Sequence, residues 1–171
     1  VCGEVVLIFL TVGNWPAGFD RLVKAIDELK GRAVITEDVV AQVAFGRYQP
    51  AHLQTMAFCS PTEFVQNVEA ARLVVTHAGI GSVGQAAMMH KPVIVVPRKA
   101  DLGEAGDNHQ WTTAKHLEQE GKVLVAYETT ALPEKLKQAE TFVPVREEGG
   151  RRIVSLVESF VADIVKKKSY G

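Results

Sequence analysis

Residues 72–92 read RLVVTHAGIGSVGQAAMMHKP, and this stretch decides the fold. Leu73, Val74 and Val75 form an apolar run with no polar alternation, the pattern of a strand covered on both faces. His77 follows, then Gly79 and Gly81 around Ile80, then Ser82 at the head of SVGQAAMMHK. That segment reads as a helix stopped before Pro92. PVIVVP, residues 92–97, reads as the next strand. Parallel strands need a long crossover, usually helical, and this stretch supplies one.

The same alternation runs outward in both directions. EVVLIFLTVG (4–13) reads as a buried strand ending at Gly13. GFDRLVKAIDELKG (18–31) reads as a helix with Phe19, Leu22, Ile26 and Leu29 on one face and Gly31 past its end. DVVAQVAFG (38–46) and LQTMAFC (53–59) read as strands. SPTEFVQNVEAA (60–71) carries a helix start: Ser60 as cap, Pro61 at the first helical position, Glu63 reaching back. Residues 107–120 read as a helix capped by Asp107, with Gln110 reaching back and Gly121 ending it. KVLVAY (122–127) is a strand, TTALPEKLKQA (129–139) a short helix, and residues 149–168 a long final one. Six apolar strands alternating with helices predict an α/β fold: a Rossmann-like parallel six-stranded sheet with helices on both faces. The expected organisation is one domain over 1–150 and a C-terminal amphipathic helix over 151–171.

Composition narrows the class. A length of 171 residues suits one domain with a sizeable core, and 47% hydrophobic with 23% charged residues is ordinary for a globular protein. Nineteen basic and twenty acidic residues leave a net charge of −1, which argues against a nucleic-acid partner. Cys2 and Cys59 form no CxxC and no disulfide framework, so a reducing cytoplasm is the expected compartment. VVLIFLTV (5–12) is too short to span a bilayer, and the opening VCGE is expected to carry no function.

In such folds ligands sit outside the carboxyl ends of the strands. Three loops leave those ends with unusual chemistry: TVGNWPAG (11–18), HAGIGS (77–82) and RKADLGEAGDNHQ (98–110). In the second, Gly79 and Gly81 allow positive φ and close ligand approach, Ser82 can cap the helix, and His77 adds a ring donor. A helix N-terminus carries about half a positive charge, so a diphosphate fits there. The competing reading is an ordinary cap in which Gln85 completes a box with Ser82. In the third loop, Asn108, His109 and Gln110 fall in one first turn, and paired amides suit sugar hydroxyls; a polar helix start at the surface is the alternative. In the first, Thr11, Gly13 and Asn14 can supply donors, while Trp15 reads as a packing or interface residue.

Neither GxGxxG after the first strand nor GxxxxGK[ST] is present, which weakens NAD and ATP. The five histidines never fall in HxxxH or HxxE spacing, so no metal and no cofactor is expected. His90 sits at a helix C-terminus, His116 reads as a surface residue, and Cys59 as a buried small hydrophobe.

FLTVGNWPAGFDRLVKAID, SPTEFVQNVEAARLVVTHAGIGSVGQA and KPVIVVPRKADLGEAGDNHQ, taken together over roughly residues 7–128, resemble the C-terminal, donor-binding half of GT-B glycosyltransferases of the MurG type. The likeness extends to single-domain members: exopolysaccharide proteins of the PssE type, and the catalytic subunit of the dolichol-linked two-subunit GlcNAc transferase. The resemblance implies a UDP-sugar donor and metal-independent, inverting transfer. By position it implies that Gly79, Gly81 and Ser82 cradle the diphosphate, helped by His77, Gly13 and Asn14. Gln85 stands where relatives often have a ribose-binding Glu. Asn108 and Gln110 would hold the donor sugar, with uracil near Phe58 to Phe64. His77 is the catalytic candidate for stabilising the leaving diphosphate and Glu104 for the general base, against a solvated loop charge. The resemblance further implies a membrane-anchored acceptor-binding subunit, a lipid-linked glycan acceptor and recruitment of this cytoplasmic chain to the inner membrane face.

Ile153, Val154, Leu156, Val157, Phe160, Val161, Ile164 and Val165 fill about half the circumference of the final helix at ~100° per residue. That arc fits either a partner contact or a deeply seated core helix, and Lys166–Lys168 either a solvated end or an anionic surface. Two other functions stand beside the transferase: a non-catalytic nucleotide-sugar-binding module that activates a partner, and an epimerase or hydrolase on a similar sheet. The last needs more acids and bases than these loops hold.

Overall fold

The computed structural model describes residues 7–145. The final helix expected over 149–168, and the boundary at 150, lie outside the described residues. Six strands form one parallel sheet in the order β3-β2-β1-β4-β5-β6. They are β1 (Leu7–Thr11), β2 (Asp38–Gln42), β3 (Gln54–Met56), β4 (Ala71–Thr76), β5 (Val93–Val95) and β6 (Leu124–Val125). The helices are α1 (Asp20–Gly31), α2 (Pro61–Ala70), α3 (Ile80–Met88), α4 (His109–Gln119) and α5 (Leu132–Ala139). The α/β expectation with six parallel strands is met.

Side chains alternate across the sheet, as strand pleating requires. Ile8, Leu10, Leu73, Val75 and Ile94 face one layer, with Leu22 and Ile26 of α1 and Leu136 of α5. Phe9, Val74, Val93 and Val95 face the other, with Val68 of α2, Val83 and Ala86 of α3, and Leu117 of α4. Helices on both faces account for the unbroken apolar runs Leu7–Leu10, Leu73–Val75 and Val93–Val95.

Several elements are shorter than their apolar runs. The run DVVAQVAFG ends as strand at Gln42, because Ala44 adopts a positive φ of 47° and leaves the extended region. Residues 129–139 divide into a short 3₁₀ turn, Thr129–Ala131, and α5. The Ser60–Glu63 capping box forms as read, with the Glu63 amide donating to Ser60 Oγ and the Ser60 amide to Glu63 Oε2.

The chain order reverses at the β1–β4 pair, where Thr11 and Thr76 are register partners. A crevice at this switch point is where an open α/β sheet binds ligands. The loops after β1 and β4 therefore stand side by side at the carboxyl edge.

No helix separates β2 from β3; one buried carboxylate holds that connection instead. Asp27 of α1 accepts from the Tyr48 hydroxyl at 2.8 Å and from the amides of Ala51 at 3.1 Å and His52 at 2.8 Å. Burial opposes its ionisation, but these donors outweigh burial and hold its pKa below the ordinary aspartate value. Asp27→Asn is expected to lower stability at pH 7 by about 2 kcal/mol in urea denaturation. Because the folded pKa is depressed, Asp27's contribution is present above the unfolded value of about 3.9 and is lost as pH falls through the folded one. Wild type is expected to lose stability across that acidic window with a slope that the Asn variant lacks.

Candidate functional site

The site is built around the imidazole of His77, the residue after β4. Its ring fills the space beside two glycines: a Cβ on Gly13 would lie 2.6 Å from Cε1, and one on Gly79 2.2 Å from Nε2. Gly13 is required twice, since it also adopts a φ of 68°. Gly79 has an ordinary φ of −79° and Gly81 lies within α3, so neither uses the positive φ that their spacing predicts. Gly79 is glycine because the ring is there. Gly81 is different: among the described residues, nothing beyond its own stretch of helix lies within 4 Å of where its Cβ would be, so the approach to it is open.

The helix also begins earlier than read. Gly79 is the N-cap of α3, Ile80 its first residue, and no side chain caps it. Ser82 is the third helical residue rather than the cap, and Gln85 completes no box with it. Leaving the end uncapped has a chemical consequence. The amides of Ile80, Gly81 and Ser82 have no intrahelical acceptor and keep their dipole outward.

His77 is uncharged at neutral pH. Burial, then the nearby charge of Arg98, push its pKa down to about 4, against a hydrogen bond to the Thr11 carbonyl that favours the proton. It acts as a neutral imidazole, which donates from one nitrogen and accepts at the other.

Arg98, the residue after the β5 run, was not singled out in the sequence, yet it fastens the rim. It is 1% exposed. Its guanidinium donates to the carbonyls of Val12 at 2.7 Å, Glu104 at 3.0 Å and Gly18, with the Phe19 ring 4.6 Å away. Burial first, with Arg21 adding and Glu104 opposing, brings its pKa down to about 10, so it stays cationic. The loops after β1 and β5 thus hang on one cation. A strong polar residue closing an apolar strand run was the available signal.

Glu104 belongs to the same fastening. Both its oxygens receive Arg21, at 2.8 and 2.9 Å, and Oε2 also accepts the Lys99 amide at 2.9 Å. It is 8% exposed. The structure makes it a buried loop anchor rather than a solvated charge. Asn108 and Gln110 are committed on their acceptor side. Asn108 Oδ1 accepts the Ala100 amide at 3.3 Å, and Gln110 Oε1 the Arg98 amide at 3.1 Å. Asn108, not Asp107, is the N-cap of α4, and Gln110 does not reach back to it. What both amides offer a ligand is the NH₂ end.

Asn14 is exposed and accepts from Gln42 Nε2 at 3.0 Å; Gln42 also donates to the Gly13 carbonyl and accepts from Thr11 Oγ1 at 2.6 Å. Gln42, a buried polar residue in an apolar strand, is the second fastener missed in the sequence. Phe58 is exposed and meets Phe45 edge-on at 5.1 Å, whereas Phe64 packs on Phe9 in the core. Cys59 is half-buried rather than buried, and burial followed by Glu63 raises its thiol pKa. Trp15 is 52% exposed and packs on no core layer.

The model of the glycosyltransferase family 28 C-terminal domain matches residues 7–142. The chain belongs to that family. No curated protein sequence matches it significantly. Among solved structures, the fold of the family 28 domain is shared with ALG13 in solution, at a TM-score of 0.61 and 18% identity over 90% of this chain and 94% of that one. It is shared with the calicheamicin glycosyltransferase CalG4, at 0.60 and 15% over 81% and 34%. MurG of Acinetobacter baumannii matches at 0.50 and 22% over 82% and 41%. The chain therefore spans about a third of several of the glycosyltransferases it resembles, and nearly the whole of ALG13. This sheet is the C-terminal half of a GT-B fold.

The two glycines predict opposite outcomes. Gly79→Ala must displace the His77 ring and is expected to lower the thermal midpoint by several degrees. Gly81→Ala enters open space within a helix, where alanine gains up to about 1 kcal/mol, and is expected to leave the midpoint unchanged or higher. Calorimetric scanning of both variants checks this.

Proposed function

We propose that this chain is the donor-binding subunit of a two-component, metal-independent, inverting UDP-glycosyltransferase acting on a lipid-linked acceptor in surface polysaccharide synthesis. The observation that carries this reading is the uncapped first turn of α3, open at Gly81 and flanked by His77 at the switch point. Family membership supports it, as does the fold shared with an anthocyanidin 3-O-glucosyltransferase solved in complex with UDP, at a TM-score of 0.58 and 13% identity over 99% of this chain and 37% of that one.

In this reading the amides of Ile80, Gly81 and Ser82 and the Ser82 hydroxyl take the diphosphate. Gly13 and Asn14 wall the crevice, and Gln85 meets the ribose. The NH₂ groups of Asn108 and Gln110 reach the sugar hydroxyls. The base lies against the exposed ring of Phe58. As the bond to the anomeric carbon breaks, negative charge grows on the departing diphosphate. Amides already aimed at that charge stabilise it without reorganising, and no divalent ion is needed.

Direct displacement also needs a base to take the acceptor's proton. Glu104 is held by Arg21 and the Lys99 amide, so that base comes with the acceptor. We assign it to a membrane-anchored acceptor-binding partner, which holds the chain at the inner membrane face. The committed state of Glu104 equally favours a second reading, a non-catalytic nucleotide-sugar-binding module that activates its partner.

Calorimetry of the full chain is expected to show binding of UDP and UDP-sugars and at least tenfold weaker binding of GDP- and TDP-sugars. Ser82→Ala is expected to weaken UDP about tenfold, the worth of one hydrogen bond to a charged group. With the partner present, transfer is expected to persist in EDTA. Unchanged transfer by both Ser82→Ala and Gln110→Ala in an intact complex would overturn the proposal. Donor-dependent transfer by the partner alone, merely accelerated by this chain, would establish the second reading.

A further inference from the structure

Thr76 is fully buried at the end of β4, opposite Thr11 in the register. Its Oγ1 lies 2.9 Å from the Thr11 carbonyl oxygen and 3.2 Å from His77 Nδ1. A hydroxyl has one proton to donate. It either donates to the Thr11 carbonyl and accepts from an Nδ1–H, or turns its proton onto an unprotonated Nδ1. The partner of one ring nitrogen decides what the other presents. In the first arrangement Nε2 shows a lone pair, and in the second it shows N–H. Nε2 is the ring atom closest to where a Cβ on Gly79 would sit, so it points at the start of α3. A lone pair there repels an anion, and an N–H binds it.

We propose that Thr76 is a positioning residue of the donor site, its hydroxyl turning from the Thr11 carbonyl to His77 Nδ1 when a nucleoside diphosphate is seated, so that the imidazole donates from Nε2. This rests on the reading of the α3 N-terminus as the diphosphate seat. The proton count is conserved: one proton leaves Nδ1 to water, one arrives at Nε2 from water, and the threonine proton only rotates. Arg98 holds its Nη1 and Nη2 on three carbonyls, and its buried Nε–H can donate but not accept, so it cannot take a proton offered by Nδ1–H. The Thr11 carbonyl accepts but cannot donate. Thr76 is the neighbour of Nδ1 that can do both.

The test is long-range proton–nitrogen correlation of the His77 ring in the full chain, free and saturated with UDP. The expected result is a proton on Nδ1 in the free protein and on Nε2 in the complex. Thr76→Val keeps the shape and removes the rotor; it is expected to retain the Nδ1–H form with UDP and to bind about tenfold more weakly. Thr76→Ser is expected to restore both the exchange and the affinity. If the valine variant does not fold, wild type and the serine variant still decide. Both nitrogens protonated in the complex, an unchanged tautomer, or a valine variant that exchanges like wild type would each overturn the proposal. If UDP moves the Gly81 amide while the tautomer stays, Thr76 alone is misassigned. Should UDP leave both His77 and Gly81 unmoved, the diphosphate seat itself falls and the Thr76 proposal with it.

Discussion

One buried cation carries the architecture of the rim. Arg98 is out of water, and both of its terminal nitrogens donate to carbonyls from the loops after β1 and β5. Charge buried this way is stable only while each acceptor stays in place, because an unpartnered charge in the interior costs several kcal/mol. The constraint runs both ways: the loops hold Arg98, and Arg98 fixes where the loops can be. Arg21 and Glu104 extend it outward. Gln42 does the same for Gly13 and Asn14 from the other side of β1. The crevice is thereby shaped by polar groups that themselves do not face it.

This arrangement sets the electrostatics of the site in an indirect way. Burial first, and then the charge of Arg98, keeps His77 from taking a second proton, so the ring brings no charge to the crevice. What remains to attract an anion is a set of peptide dipoles and one neutral ring. Such groups are fixed before a ligand arrives, and they lose less than a long flexible lysine would on ordering. Ordinary cap chemistry would spoil this. A serine cap at the head of α3 would accept from the very amides that an anion needs.

Most of the fold was legible because hydrophobic period and punctuation agree. Apolar runs of Leu73–Val75 and Val93–Val96, the Ser60–Pro61–Glu63 start and the Gly121 stop each name their element alone. The site was legible in outline, as three loops at one edge. Its inner workings were not, because residue type reveals what a side chain can bond and not what stands beside it. Asn108 and Gln110 turn their oxygens to backbone amides of their own loop. Glu104 looks like a loop charge until Arg21, 83 positions away, meets it. Gly79 reads as a turn glycine, and only packing shows that a histidine ring takes its Cβ position.

The open edge of this sheet bears on the proposed two-component chemistry. Peptide amides stabilise a departing diphosphate most where water is excluded, since the same dipoles act far more weakly in a high dielectric. Outside its own stretch of helix, no atom of the described residues stands within 4 Å of the Gly81 Cβ position, and Asn14, Trp15 and Phe58 lie exposed on the loops after β1 and β3. The amide donors are arranged, and this edge is open among the described residues. A partner that covers this edge would bring the acceptor, remove water and raise the worth of each amide in one step. On the proposed reading, donor binding and donor activation are separable properties, the first belonging to this sheet and the second to the closed pair.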